Sequence, residues 1–134
     1  MRKVLFLIIF LLSVIGLKAQ LTTHFVKIDG GAEQFSITRF LLETINNQPC
    51  LSMTNEVGNY QYKIIEQKEP KETIQNGDTL TICVFDCIDK TGKAKHHFVQ
   101  FLPKYLKGKK IIIKDYVTIG ERKMPCVTYS SKEY

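Results

Sequence analysis

The sequence predicts an all-β fold, an antiparallel β-sandwich of seven or eight short strands stapled by disulfides. Three observations predict it. Short runs rich in Val, Ile, Thr, Phe and Tyr recur along the chain, separated by Gly, Asn, Asp and Pro turn signals. One of them, GDTLTICVFDCID from Gly77 to Asp89, is apolar on both faces, as a strand in the middle of a sheet is. Four cysteines follow an apolar leader, and an even count in an exported chain reads as a disulfide framework.

The leader comes first. Arg2 and Lys3 precede an apolar run from Val4 to Ile15, and Ala19-Gln20 offers a small residue at a cleavage point. The pattern is that of a secretory signal peptide over residues 1–19, with a run too short for a membrane span. Residues 20–134 are then expected as one exported domain, secreted or periplasmic, with no further spanning segment. Of the formal charge of +6, Arg2, Lys3 and Lys18 leave with the leader. The mildly basic remainder gives no compositional support for nucleic-acid binding.

The domain opens with an alternating strand, Thr22 to Asp29, closed by Gly30-Gly31. Ala32 to Asn46 reads two ways. As a helix over about 33–46 it would give an α+β fold, but its apolar residues scatter over more than half the circumference. As a strand it places Phe35, Ile37 and Leu41 on one face and Phe40 and Leu42 on the other, and the strand is preferred. Asn46 to Pro49 makes a hairpin loop into a strand from Cys50 to Asn55, and Tyr60 to Gln67 follows as the next. Lys68 to Gly77, polar and carrying Pro70, reads as a connector.

Gly77 to Asp89 is the expected central strand, with Leu80, Ile82 and Val84 on one face and Cys83, Phe85 and Cys87 on the other. The turn Asp89 to Gly92 returns the chain as a hairpin into Ala94 to Leu102. Lys110 to Ile119 alternates, with Ile111, Ile113, Val117 and Ile119 opposite Lys114, Tyr116 and Thr118. Cys126 to Ser130 ends the fold.

Cys83 and Cys87 lie four residues apart, so on a regular strand their Cα atoms are ~13 Å apart, where a disulfide needs under ~7 Å. Cys50 and Cys126 are therefore expected to bond one each to Cys83 and Cys87, in either order, each bridge contributing about 3 kcal/mol. The spacing matches neither a redox CxxC motif nor a zinc ribbon. His96 and His97 are adjacent and point to opposite faces, so they cannot share a metal ion, and His24 stands far from both in sequence. Asp89 reads as turn chemistry, whereas Asp86 falls on the apolar face of its strand and calls for a partner. No cofactor is implied.

One surface feature stands out. PKYLKGKK, Pro103 to Lys110, places Lys104, Lys107, Lys109 and Lys110 around Tyr105, the densest charge cluster of the domain. Such clusters attract anionic partners, although charged runs are also ordinary solvated surface. The chain is therefore expected to be a non-enzymatic binding or accessory module of the cell envelope, its partner an anionic surface or a protein, including a hydrolase it inhibits. The alternatives are a small hydrolase using His and Asp residues and a small outer-membrane barrel. The first lacks a nucleophile elbow, an HExxH motif or paired carboxylates. The second would need about eight lipid-facing strands.

Overall fold

The structure is a computed structural model and describes residues 25–29 and 32–134. The signal-peptide reading of residues 1–19 and the expectations for His24 lie outside the described residues. Among these, the chain is all-β, with ten antiparallel strands: β1 (Phe25–Asp29), β2 (Ala32–Ile45), β3 (Gln48–Thr54), β4 (Asn59–Gln67), β5 (Lys71–Gln75), β6 (Asp78–Ile88), β7 (Ala94–Pro103), β8 (Ile112–Ile119), β9 (Arg122–Lys123) and β10 (Val127–Ser131).

Two strands exceed the expected count because of turn chemistry. Asn76 and Gly77 both adopt positive φ, 51° and 79°, the geometry of a two-residue hairpin turn. That turn folds β5 back on β6, with Gln75 opposite Asp78 and Lys71 opposite Ile82, so the expected connector is half a hairpin. β9 is a two-residue pairing on the edge of β8. The segment at 32–45 is a strand, as preferred over the helix. Asn46 and Asn47, at φ 52° and 63°, turn it into β3. Its alternation sorts side chains as expected, with Phe40 buried and Ile37 and Leu41 exposed.

The pairing differs from a two-sheet sandwich. β10 pairs with β8 on one side and with β1 on the other, so the ladder β1-β2-β3-β4-β6-β7-β8-β10 returns to its start. The hydrogen bonds describe one closed sheet, with β5 and β9 appended. The physical reason is in the long strands. β2 pairs through residues 32–38 with β1 and through residues 39–45 with β3. β6 pairs with β5 through its first half and with β4 through its second, and with β7 throughout. Strands that change neighbours part-way stagger the register, and stagger lets a sheet coil until its edges meet. Closure removes the unpaired edges that an open sheet would expose.

An eight-stranded ring has an interior about wide enough for side chains. Phe25, Phe40, Leu51, Tyr62, Phe85, Phe98, Ile113 and Tyr129 meet there. Phe40 on β2 packs edge-on against Phe25 of β1 at 5.3 Å and Tyr129 of β10 at 5.1 Å, so aromatic contacts run across the closing strands. On β6 the expected faces hold, with Cys83, Phe85 and Cys87 inward and buried. The outward Leu80, Ile82 and Val84 are only half covered, because no second sheet lies over them.

Neighbouring strands alternate in direction, so the connections fall by turns at the two ends of the ring. One end, called the lower here, carries the β2–β3 turn, the β4–β6 connection with β5, and the β7–β8 loop. Phe25 and Ser131 pair directly, so the chain also comes into the barrel and leaves it at this lower end.

Candidate binding surface

The basic loop is built by its anchors. Strand β7 ends at Pro103, which cannot donate a backbone hydrogen bond, and Lys104 N then bonds Thr79 O at 2.9 Å. Leu106 packs against the barrel core, so the middle of the loop is tied inward. Gly108 takes φ +74°, a conformation that glycine reaches without strain, and its N–H donates to the Tyr134 carbonyl. Tyr134 N donates back to Lys109 O at 2.9 Å, so the end of the chain clamps the loop.

These anchors sort the five expected residues. Lys104, Lys107 and Lys110 are exposed, and Tyr105 is 76 % exposed at the tip, with the Lys104 ammonium 6.0 Å from its ring. Lys109 differs. Its Nζ lies 2.9 Å from Asp78 Oδ2, a half-exposed ion pair that ties the loop to the start of β6. The charge presented to solvent is thus that of three lysines, with Lys132 exposed on the neighbouring C-terminal stretch and Glu133 beside it. Lys114, next along β8, reaches over the Phe101 ring at 5.7 Å on the outer wall.

The two adjacent histidines do point to opposite faces, and each has an acid. His97 faces outward, and its Nδ1 lies 2.6 Å from Asp86 Oδ1; this is the partner Asp86 required. Tyr116 lies beside His97 on β8, 6.0 Å between ring centroids. His96 faces inward. Its Nδ1 lies 3.0 Å from both oxygens of Asp115, and its ring packs between Tyr62 at 4.3 Å and Phe98 at 5.5 Å. His96 is thus paired and largely covered, its side chain 10 % exposed. The sequence reading passed over Asp115, although it shares the parity of Ile113 and Val117 and so falls on their inward face.

No family model, curated protein or solved structure matches this chain. The site is therefore read from its own chemistry.

The four cysteines are thiols in the structure, and the expected staples are not formed. Cys83 and Cys87 point into the barrel, where burial pushes the Cys83 thiol up to about 11 and that of Cys87 higher still. Cys50 stands opposite Glu43 and Lys63 on the outer side of its ladder, and Cys126 is exposed, its thiol against the Tyr116 hydroxyl. The two outer and two inner thiols are on different sides of the sheet. Face parity explains this, since residues of one strand share a side only at even spacing.

Asp89 does serve the β6–β7 turn, accepting from Thr91 Oγ1 at 2.9 Å and Lys93 N at 3.1 Å. Two open grooves flank the turns. One, of about 310 Å³, is bounded by Ile45, Gln48, Cys50, Lys63, Ile88 and Lys90; the other, of about 480 Å³, lies along Lys93, Lys95 and Ile119. Neither gathers the convergent polar groups that fix a small ligand. The basic loop is the surface at which like charges converge on a rigid frame.

Proposed function

We propose that this chain is a non-enzymatic binding module, exported to the cell envelope, that holds an anionic partner at the lower end of its barrel. The observation that carries the reading is the clamped β7–β8 loop. It presents Lys104, Lys107 and Lys110 around an exposed Tyr105 with no acid between Pro103 and Lys110. Holding three charges on a pinned loop lowers the conformational entropy lost on contact, which favours binding over a free lysine tail. Export rests on the leader pattern of residues 1–19.

The test is retention on heparin. Lys104→Ser/Lys107→Ser/Lys110→Ser should elute at clearly lower salt than wild type, while Lys63→Ser/Lys90→Ser/Lys95→Ser, with the same net charge, elutes close to it. Equal elution of the two triple variants would refute the reading and leave the loop as solvated surface. Circular dichroism confirms that both fold.

A hydrolase reading has one observation in its favour, the outward Asp86–His97 pair, which resembles a base held by its orienting acid. The pair stands on an open wall rather than in a cleft, and among the described residues no serine or threonine hydroxyl is bonded to the ring. A lipid-embedded barrel is disfavoured by the outer wall, which carries Arg39, Lys63, Asp86, Lys95 and Lys114 where a membrane barrel is apolar.

A further inference from the structure

We infer that the anionic partner is the headgroup surface of a lipid bilayer, met end-on by the lower end of the barrel. The inference rests on the reading of the basic loop as a contact surface and names what it contacts. Three observations point the same way.

The first is topological. The basic loop, the start of β1 and the end of β10 all lie at one end, because Phe25 pairs with Ser131 and Ile112 pairs with Ser130. The apolar run Val4 to Ile15 stands about nine residues ahead of Phe25, an extended reach of ~30 Å. With that run in a bilayer, the end of the folded barrel nearest the membrane is the lysine end. Glu56, Asp89 and Glu121 stand among Lys90, Lys93 and Arg122 at the opposite end, whereas at the lower end the exposed Glu69 and Glu72 lie on the β4–β6 connection and no acid lies between Pro103 and Lys110.

The second is Tyr105. A soluble polyanion is held by charge and gains little from an exposed phenol. A bilayer interface has an apolar layer beneath its phosphates, and tyrosine is the residue that sits across that boundary, ring down and hydroxyl wet. Tyr105 is the most exposed tyrosine among the large exposed apolar residues, and it lies between Lys104 and Lys107, whose long stems can reach headgroups on either side of the ring.

The third is the clamp. Gly108 and Lys109 bond the backbone of Tyr134, and Lys109 is spent on Asp78, so the loop holds its shape without a ligand. A preformed basic tip suits a flat anionic plane, where each lysine near the surface contributes about fivefold in partitioning. Glu133 is the exposed acid beside the tip and lowers its field, so the attraction is to be read at low ionic strength.

The experiment is co-sedimentation of the protein as isolated from its host with two vesicle preparations: one roughly one-third phosphatidylglycerol in phosphatidylcholine, and one of phosphatidylcholine alone. Wild type is expected to sediment with the anionic vesicles and stay in solution with the neutral ones. Lys104→Ser/Lys107→Ser/Lys110→Ser should weaken partitioning on the order of a hundredfold, from about fivefold per lysine. Tyr105→Ser should lower partitioning onto the anionic vesicles several-fold, and unchanged partitioning would overturn the part given to the ring. If heparin retention depends on the loop but anionic vesicles are ignored, the partner is another polyanion; the bilayer inference falls and the binding reading stands. If neither surface responds to the lysines, both fall. Equal sedimentation with both vesicle types, in every variant, would place the binding in the apolar leader and overturn the inference.

Discussion

Replacing His96 with Phe tests the barrel interior most directly. The substitution keeps an aromatic ring between Tyr62 and Phe98 but removes the group that both Asp115 oxygens contact at 3.0 Å. Asp115 is 3 % exposed, so its carboxylate is left inside the ring without its hydrogen-bond partner. Orphaning one member of a buried pair costs about 3–5 kcal/mol, against a total of about 5–15 kcal/mol for a domain. With a urea slope of about 1–2 kcal/mol per molar, the midpoint should fall by about 1.5–5 M.

The second half of this test decides it. His96→Phe combined with Asp115→Leu removes both polar partners and fills the space with apolar atoms, and such replacements are commonly neutral or stabilising. The double variant should therefore return to within about 1 kcal/mol of wild type, although it carries more substitutions than the single one. Urea unfolding followed by circular dichroism reads all four corners of the cycle. A cost below about 1 kcal/mol for His96→Phe, or a double variant no better than that single one, would show that Asp115 faces water and that the wall is not closed around it.

Two further outcomes follow from burial. Burial first, then the nearby Asp115 and Tyr60, raises the Tyr129 phenol from its ordinary 10 to about 12, so its contribution to stability is complete below pH 10 and is lost as pH rises through 12. That loss is about 2–3 kcal/mol, read as a falling urea midpoint above pH 10 with a late phenolate absorbance step that Tyr129→Phe removes; early ionisation of Tyr129 in the folded protein would contradict it. Iodoacetamide should label Cys126 in the native protein, and Cys83 and Cys87 only after unfolding, since burial keeps both thiols protonated. Peptide mapping checks this, and a native protein that labels at no cysteine would mean that Cys126 is bridged.

Much of the wall was legible because it is local. The two faces of Gly77 to Asp89 come from alternation alone, and the Asp86–His97 pairing follows from the turn. With Ile88 opposite Lys95, counting two residues away from the turn on each strand sets Asp86 against His97. The choice of strand over helix at 32–45 rested on the same periodicity. β5 was missed although Asn76-Gly77 is a strong hairpin signal, because Lys71 to Gln75 is polar but for an exposed Ile74 and buries little.

The closure was not legible, for a different reason. The pairing of β10 with β1 joins the two ends of the domain, and no local pattern encodes which distant edges meet. The sandwich and the barrel present the same alternating strands and differ only in whether the last edge finds the first. His96 and Asp115 stayed hidden likewise, since the long loop between β7 and β8 conceals their register. The lysine cluster was plain in the sequence; the diversion of Lys109 to Asp78 was not, because it depends on where β6 begins.

The position of β10 has a consequence for how the molecule is made. Among the described strands, the one that seals the ring is synthesised after the other nine, and it must slot between β8 and β1. Until it arrives, β1 and β8 are open edges, and Phe40 lacks the tyrosine that caps it. Sealing waits on contacts of high sequence separation, which fold slowly. A chain truncated before Val127 should therefore stay open and self-associate through those edges.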